Sequence, residues 1–352
     1  MNPRAGAAWL VTRVNLTLSV GVFAALAIIL APITIGAKAQ ISEGQERAYV
    51  DVGVATLWVS PGFNQRVDQP ALSNPSDIRL WLANMSLRQE TRLVGNLETQ
   101  ALYGHKVKIL KESGEWVKVA VPGQMTPRNL LGYPGWVPKR QLTYNTGLAS
   151  PKGRPFAQVK TRTAWLYNTD ELNSRFIEVS SATRLPVVKH LPNAIQVATP
   201  DDGHKWLRAS DVSVYAGESA IPEPTGEQLV ESAKEYLGVP YLWAGTSGFA
   251  FDCSGFTYTV HRAHGITIPR DTVSREDLTN PPYGTSVRNY ADLKPGDLAY
   301  FAYQNGTGAV HHVGMYVGDG RMIHSPPGSK VSIVKIVETD WFKEYAGAIR
   351  YF

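Results

Sequence analysis

The 352-residue sequence predicts a multidomain chain in which two small all-β barrels precede an α+β domain. Three observations lead there. The length exceeds what one ordinary domain holds. Short apolar–polar alternations between Gly and charged turns fill residues 48–215, without a long amphipathic helix. From about residue 226 helical spacing comes first and strands follow, the pattern of a segregated α+β domain. A hydrophobic content of 43% and a charged content of 18% are those of folded protein.

The chain begins with a targeting segment, residues 1–39. Arg4 and Arg13 precede an apolar run from Val14 to Ala37, which ends in Ala37-Lys38-Ala39 before Gln40. Positive start, apolar centre and small residues at a cleavage site describe a secretory signal. The run is also nearly long enough to serve as an uncleaved anchor, so any membrane association is expected through it alone. On either reading the remainder is exported, to the cell wall, the periplasm or the medium. The formal net charge of +5 is spread along the chain. With no basic run or aromatic-basic stripe, nucleic acid is not an expected partner. A single cysteine excludes an internal disulfide framework. A monomer is the simplest expectation.

The first β block, residues 48–145, alternates over Tyr49–Val59, Ala101–Leu110 and Trp116–Val121 and closes on Gly135-Trp136-Val137-Pro138. Residues 60–99 are a long insertion in it, with a short helix expected over Ser76–Ser86. The second block, residues 155–215, repeats the texture over Thr163–Leu166, Arg184–Val188, Ile195–Ala198, Trp206-Leu207 and Val212–Val214. Residues 216–225, with Gly217, Pro222 and Pro224, read as a linker into the last domain, residues 226–352. There Thr225 can cap a helix running to about Leu237. Asp252 or a neighbour opens a second helix, with Phe256, Val260 and Ala263 at helical spacing. Strands are expected over Leu298–Tyr303, Val310–Val317, Arg321–Ser325, Val331–Val337 and Ala346–Tyr351.

The candidate chemistry centres on Cys253. A lone cysteine is often only a small buried hydrophobe, but this one stands where Asp252-Cys253-Ser254-Gly255 would open a helix. There the unpaired N–H groups are expected to lower its pKa. A nucleophile also needs a base and a group to orient that base. Of eight histidines, His261 and His264 lie two and three turns along the same helix, out of reach of its start. His105, His190 and His204 belong to the β blocks. His311, His312 and His324 remain, on two strands joined by Gly318-Asp319-Gly320, a hairpin signal. A three-residue loop would pair Val317 with Arg321 and Gly314 with His324, placing His312 on the face of His324. His312 is then the base and His324 its orienter, whereas a slip of one residue would reverse the faces. His311 would point away.

These residues carry a family resemblance. Pro240-Tyr241-Leu242-Trp243-Ala244-Gly245, Asp252-Cys253-Ser254-Gly255-Phe256, Pro269-Arg270, Leu293-Lys294-Pro295-Gly296-Asp297-Leu298, His312-Val313-Gly314-Met315-Tyr316-Val317-Gly318 and Met322-Ile323-His324 together resemble the NlpC/P60 cysteine peptidases. The resemblance implies a papain-like α+β core, no metal and no cofactor. It implies cleavage of peptidoglycan stem peptides by Cys253, His312 and His324, with Tyr241 beside the nucleophile. The β blocks resemble bacterial SH3 domains, the first through Tyr103-Gly104-His105-Lys106-Val107 and Gly135-Trp136-Val137, the second more weakly.

Signal, two SH3-like modules and this last domain together resemble the γ-D-glutamyl-L-diamino acid endopeptidases of the dipeptidyl-peptidase VI type. That group is implied to require a free N-terminal L-Ala. On this resemblance Asp252 holds the substrate amine and Ser254 contacts substrate. Glu98 and Tyr133 of the first block line the pocket as acidic amine-holder and aromatic wall. Asp252 serves equally well as a helix cap, Glu98 as a solvated loop residue and Tyr133 as a packing residue. Two other functions stay open: an endopeptidase acting on intact peptidoglycan with the SH3-like modules as wall anchors, and a non-catalytic wall-binding protein.

Overall fold

The structure is a computed structural model and describes residues 47–145 and 154–352; the expected targeting segment lies outside them. Two β modules and a C-terminal α+β domain are present. Among the described residues no helix is long and apolar enough to cross a membrane.

In the first module seven antiparallel strands lie in the order Leu97–Leu102, Val54–Trp58, Tyr133–Pro138, Trp116–Val121, Lys106–Ser113, Arg47–Val50, Leu142–Thr143. In the second the order is Arg175–Ser180, Thr163–Tyr167, His204–Arg208, Ala194–Ala198, Arg184–His190, Phe156–Val159, Val212–Tyr215. Counted along each module, the two orders are identical, third-second-sixth-fifth-fourth-first-seventh. Closed barrels were expected, and here the structure differs. Each sheet is open, because its third and seventh strands form no ladder with each other. In the first module the seventh strand has only two residues, Leu142–Thr143, too few to carry a closing ladder.

The insertion follows the second strand of the first module. It holds the short helices Gln69–Leu72, Ile78–Asn84 and Leu87–Arg92, of which the sequence reading anticipated only the middle one. Asp77 caps that middle helix by accepting from Leu80 N. Trp81 packs against Trp58 with ring centroids 6.1 Å apart. The same apolar cluster takes in Leu242, Ala244, Phe249 and Ala250 of the C-terminal domain. The insertion is therefore built on the loop that precedes Asp252. Fully buried Asp68 ties it together, accepting from Trp81 Nε1 at 2.9 Å and from Arg92 at 2.8 Å.

In the C-terminal domain the helix Gly226–Lys234 starts at a Thr225 capping box. The helix Cys253–Ala263 packs on a six-stranded antiparallel sheet, in the order Thr285–Val287, Tyr345–Arg350, Leu298–Ala302, Val310–Gly318, Arg321–His324, Ser332–Lys335. The short edge strand Thr285–Val287 carried no alternation long enough to be read. The hairpin differs from expectation by one residue. Its loop is Asp319-Gly320, both with positive φ (51° and 67°), and Gly318 pairs with Arg321. An irregularity between Tyr316 and Gly318 then restores the expected register, pairing Met315 with Ile323. Gly314 thus lies beside His324, where a Cβ on it would come within 3.2 Å of the histidine Cβ.

Both modules are fastened to the C-terminal domain by buried polar contacts. Gln100 Oε1 of the first module accepts from Thr246 N at 3.0 Å and from Ser247 Oγ at 2.9 Å. Met125 of the same module accepts from Arg270 N at 3.0 Å. From the second, Ser180 Oγ accepts from Gly248 N at 2.8 Å, and Gln158 Nε2 donates to Ala263 O at 2.7 Å, at the end of the Cys253 helix.

Candidate active site

Asp252 sits in extended backbone and caps the Cys253 helix, its Oδ1 accepting from Gly255 N at 2.6 Å. Gly255 permits the close approach of this helix start to the preceding loop, since a Cβ there would lie 1.9 Å from Gly245 O. Cys253 is partly exposed in the first turn. Burial among apolar neighbours, then the Asp252 carboxylate, push its thiol up to about 12, against the pull of the Val313 and Ser254 N–H groups and Arg270. The balance of these surroundings raises the thiol rather than lowering it. A helix start acts over its first turn with roughly half a charge. Here desolvation and a full negative charge next to the sulfur outweigh it.

His312 Nε2 lies 2.9 Å from His324 Nδ1, and both rings are buried. His312 Nδ1 is buried with no hydrogen-bond partner among the described residues. Burial, then the neighbouring His324 and His311, hold His312 well below the ordinary histidine range; burial lowers His324 to about 4. When a neutral His324 accepts at Nδ1, the His312 proton sits on Nε2, which leaves Nδ1 bare and able to take a proton. Trp341 stacks on the His312 ring, with centroids 4.0 Å apart. His311 stacks on Tyr303 and, at 5.7 Å, on the same Trp341 ring, and faces Glu344 Oε2 at 3.2 Å. Tyr241 is held by a backbone bond to Ser329 O and by a bridge to Phe251. Its hydroxyl is pushed up by burial and by the Asp252 and Cys253 charges, so it remains a donor.

The expected substrate-contacting residues meet in one charged network. Arg270, 1% exposed, donates to Asp252 Oδ2 at 2.8 Å and to Ser254 Oγ at 3.1 Å. Ser254 in turn donates to Asp252 Oδ1 at 3.3 Å. Beyond Arg270 lies Asp271, which accepts from the Tyr133 hydroxyl at 2.8 Å. Arg128 joins Tyr133 to Glu98, donating from Nη2 to Glu98 Oε1 at 2.6 Å and from Nη1 to the Tyr133 hydroxyl at 3.3 Å. Glu98 is thus ion-paired rather than solvated, and Tyr133 belongs to the wall that faces the C-terminal domain. Arg270, Trp341 and Arg128 escaped the sequence reading as site residues. Pro269-Arg270 was legible only as a motif. Trp341 and Arg128 sit in a short 3₁₀ turn and a loop, with no periodicity to mark them.

The description of the NlpC/P60 family matches residues 238–350, and that of the YKFC SH3b2 domain matches residues 159–215. The chain is 44% identical over 308 residues to the gamma-D-glutamyl-L-lysine dipeptidyl-peptidase of Bacillus cereus, covering 87% of this chain and 91% of that one. It belongs to the NlpC/P60 family. The protein of the same name from Bacillus subtilis is 36% identical over 302 residues, covering 85% of this chain and 97% of that one. A crystal structure of an NlpC/P60 family protein from Bacillus cereus superposes with a TM-score of 0.81 at 44% identity, covering 87% of this chain and 99% of that one. The protein is accordingly a hydrolase of the NlpC/P60 peptidase family, with an SH3b domain ahead of the NlpC/P60 domain.

Proposed function

We propose that this peptidase hydrolyses the bond between γ-D-Glu and the diamino acid in peptidoglycan stem peptides that bear a free N-terminal L-Ala, with Cys253 as nucleophile, His312 as base and His324 as its orienter. The observation that carries this is the wall of carboxylates Asp252, Asp271 and Glu98, which begins next to Cys253 and is linked through Arg270, Tyr133 and Arg128. Only one of its two guanidiniums, Arg270, is locked in place, so the wall favours a substrate cation. The names of the Bacillus relatives point to the same bond class. The first module is read as a second SH3b-type unit on the strength of its identical strand order. Export rests on the apolar run of residues 14–37.

In this mechanism the Cys253 thiol gives its proton to His312 Nδ1 as the sulfur attacks the γ-carbonyl carbon. The helix-start N–H and the Tyr241 hydroxyl donate to the oxyanion. Collapse breaks the C–N bond, His312 returns the proton to the leaving amine, and a thioester remains. Water, deprotonated by His312, then releases the dipeptide and restores the thiol. Cys253→Ala should abolish turnover of L-Ala-γ-D-Glu-L-Lys or its diaminopimelate analogue while leaving the thermal melt unchanged. Mass analysis of the products reads the cleaved bond, and hydrolysis by the variant would overturn the assignment. Equal rates on the free-amine and N-acetylated peptides would favour action on intact wall instead.

A further inference from the structure

Arg128 stands where the mechanism has no use for a protein cation. It rides on the loop between the strands Trp116–Val121 and Tyr133–Pro138, beside fully exposed Leu130. Its side chain is 47% exposed, whereas that of its partner Glu98 is 9% exposed. Both terminal nitrogens engage the Glu98 carboxylate, and the guanidinium carbon lies 5.4 Å from the Tyr133 ring centroid. A positive charge thus already occupies the acidic and aromatic surfaces that would receive an ammonium group.

The other cation of the network behaves differently. Arg270 is buried, bonded to Asp252, Ser254 and Thr99, and cannot leave without stranding a buried carboxylate. Arg128 can leave, because its far side is already in solvent. With Arg128 turned out, Glu98, Asp271 and Asp252 face Arg270 alone, and the network lacks cationic charge.

We propose that Arg128 is a displaceable internal cation that competes with the ammonium of the substrate for Glu98 and Tyr133, and so sets the affinity of the pocket for free-amine peptides. This rests on the reading of the pocket given above. Displacement exchanges one ion pair for another, and the outgoing guanidinium is rehydrated as the incoming ammonium is desolvated. The arrangement raises the KM of free-amine substrates and leaves the chemistry at Cys253 to other groups. A cation that must be displaced also disfavours occupancy by peptides carrying no positive charge.

Steady-state kinetics on the full chain test this, with wild type, Arg128→Gln, Arg128→Lys and Glu98→Gln each assayed on L-Ala-γ-D-Glu-L-Lys and on its N-acetylated form. Arg128→Gln should lower KM for the free-amine peptide about two- to fivefold, the range expected for release from a half-exposed ion pair. Arg128→Lys, which keeps the charge without the fork, should fall between wild type and Arg128→Gln. Glu98→Gln should raise KM for the free-amine peptide and erase the difference between the two arginine states when combined with Arg128→Gln. A rise in KM with Arg128→Gln would show that Arg128 holds substrate, and an unchanged KM would show that it does not compete; either overturns the proposal. If wild type fails to distinguish the two peptides, the amine requirement itself fails, which is a separate outcome. A thermal melt of each variant, and the C253A variant as a baseline, separate these results from misfolding.

Discussion

With the Cys253 thiol pushed up to about 12 and His312 held below the ordinary range, the resting pair is thiol and imidazole rather than thiolate and imidazolium. Proton transfer then accompanies attack on the carbonyl. Two measurements follow. Alkylation of the free enzyme by iodoacetamide should rise about tenfold per pH unit from 7 to 10, because thiolate stays a minor species below its pKa. A plateau below pH 8 would reveal a preformed ion pair. The acid limb of kcat/KM, which reports protonation of the base in the free enzyme, should fall below pH 6.5. The helix-start cysteine and the two histidines of the hairpin could be read from the chain, since both are local patterns. Their ionisation could not, because it depends on which apolar groups crowd the sulfur and on the carboxylate beside it. Asp252 illustrates the same limit. Its capping role is local, while its pairing with Arg270 joins residues that only the tertiary fold brings together.

The insertion acts through packing. Its helices are too short to be stable alone, and their burial against Trp58, Leu242 and Phe249 keeps them in place. Asp68→Asn would remove the charge that buried Asp68 shares with Arg92 and should cost about 3 kcal/mol, since breaking such a pair strands its partner. The denaturation midpoint reads that loss. Because the same cluster supports the loop leading to Asp252, KM should rise as well. A destabilised variant with unaltered KM would show that the loop holds its shape without the insertion. Elements with long alternation or a clear cap were legible, as in the Thr225 helix and the histidine hairpin. The flanking insertion helices and the edge strand Thr285–Val287 were not, because their burial is decided by partners distant in the chain. The hairpin shows two local departures cancelling: a loop one residue shorter than expected and a compensating bulge left the histidines on the expected face.

Across the whole molecule the three modules are locked by directional bonds rather than by linker length. Gln100→Leu should uncouple the first module from the NlpC/P60 domain, since it leaves the Thr246 N–H and the Ser247 hydroxyl without their buried acceptor. The expected readout is a lower melting temperature together with a raised KM; a lower melting temperature alone would mean that docking is not needed for substrate binding. A β-rich region ahead of an α+β domain was readable from composition and texture. Sheet closure was not, because it depends on whether the first and last strands of the order meet. The two β modules share one strand order, and the first, which carries the helices of residues 69–92, also holds Glu98, Arg128 and Tyr133. Changes in that accessory sheet can therefore alter these three side chains without touching the Cys253 helix or the histidine hairpin.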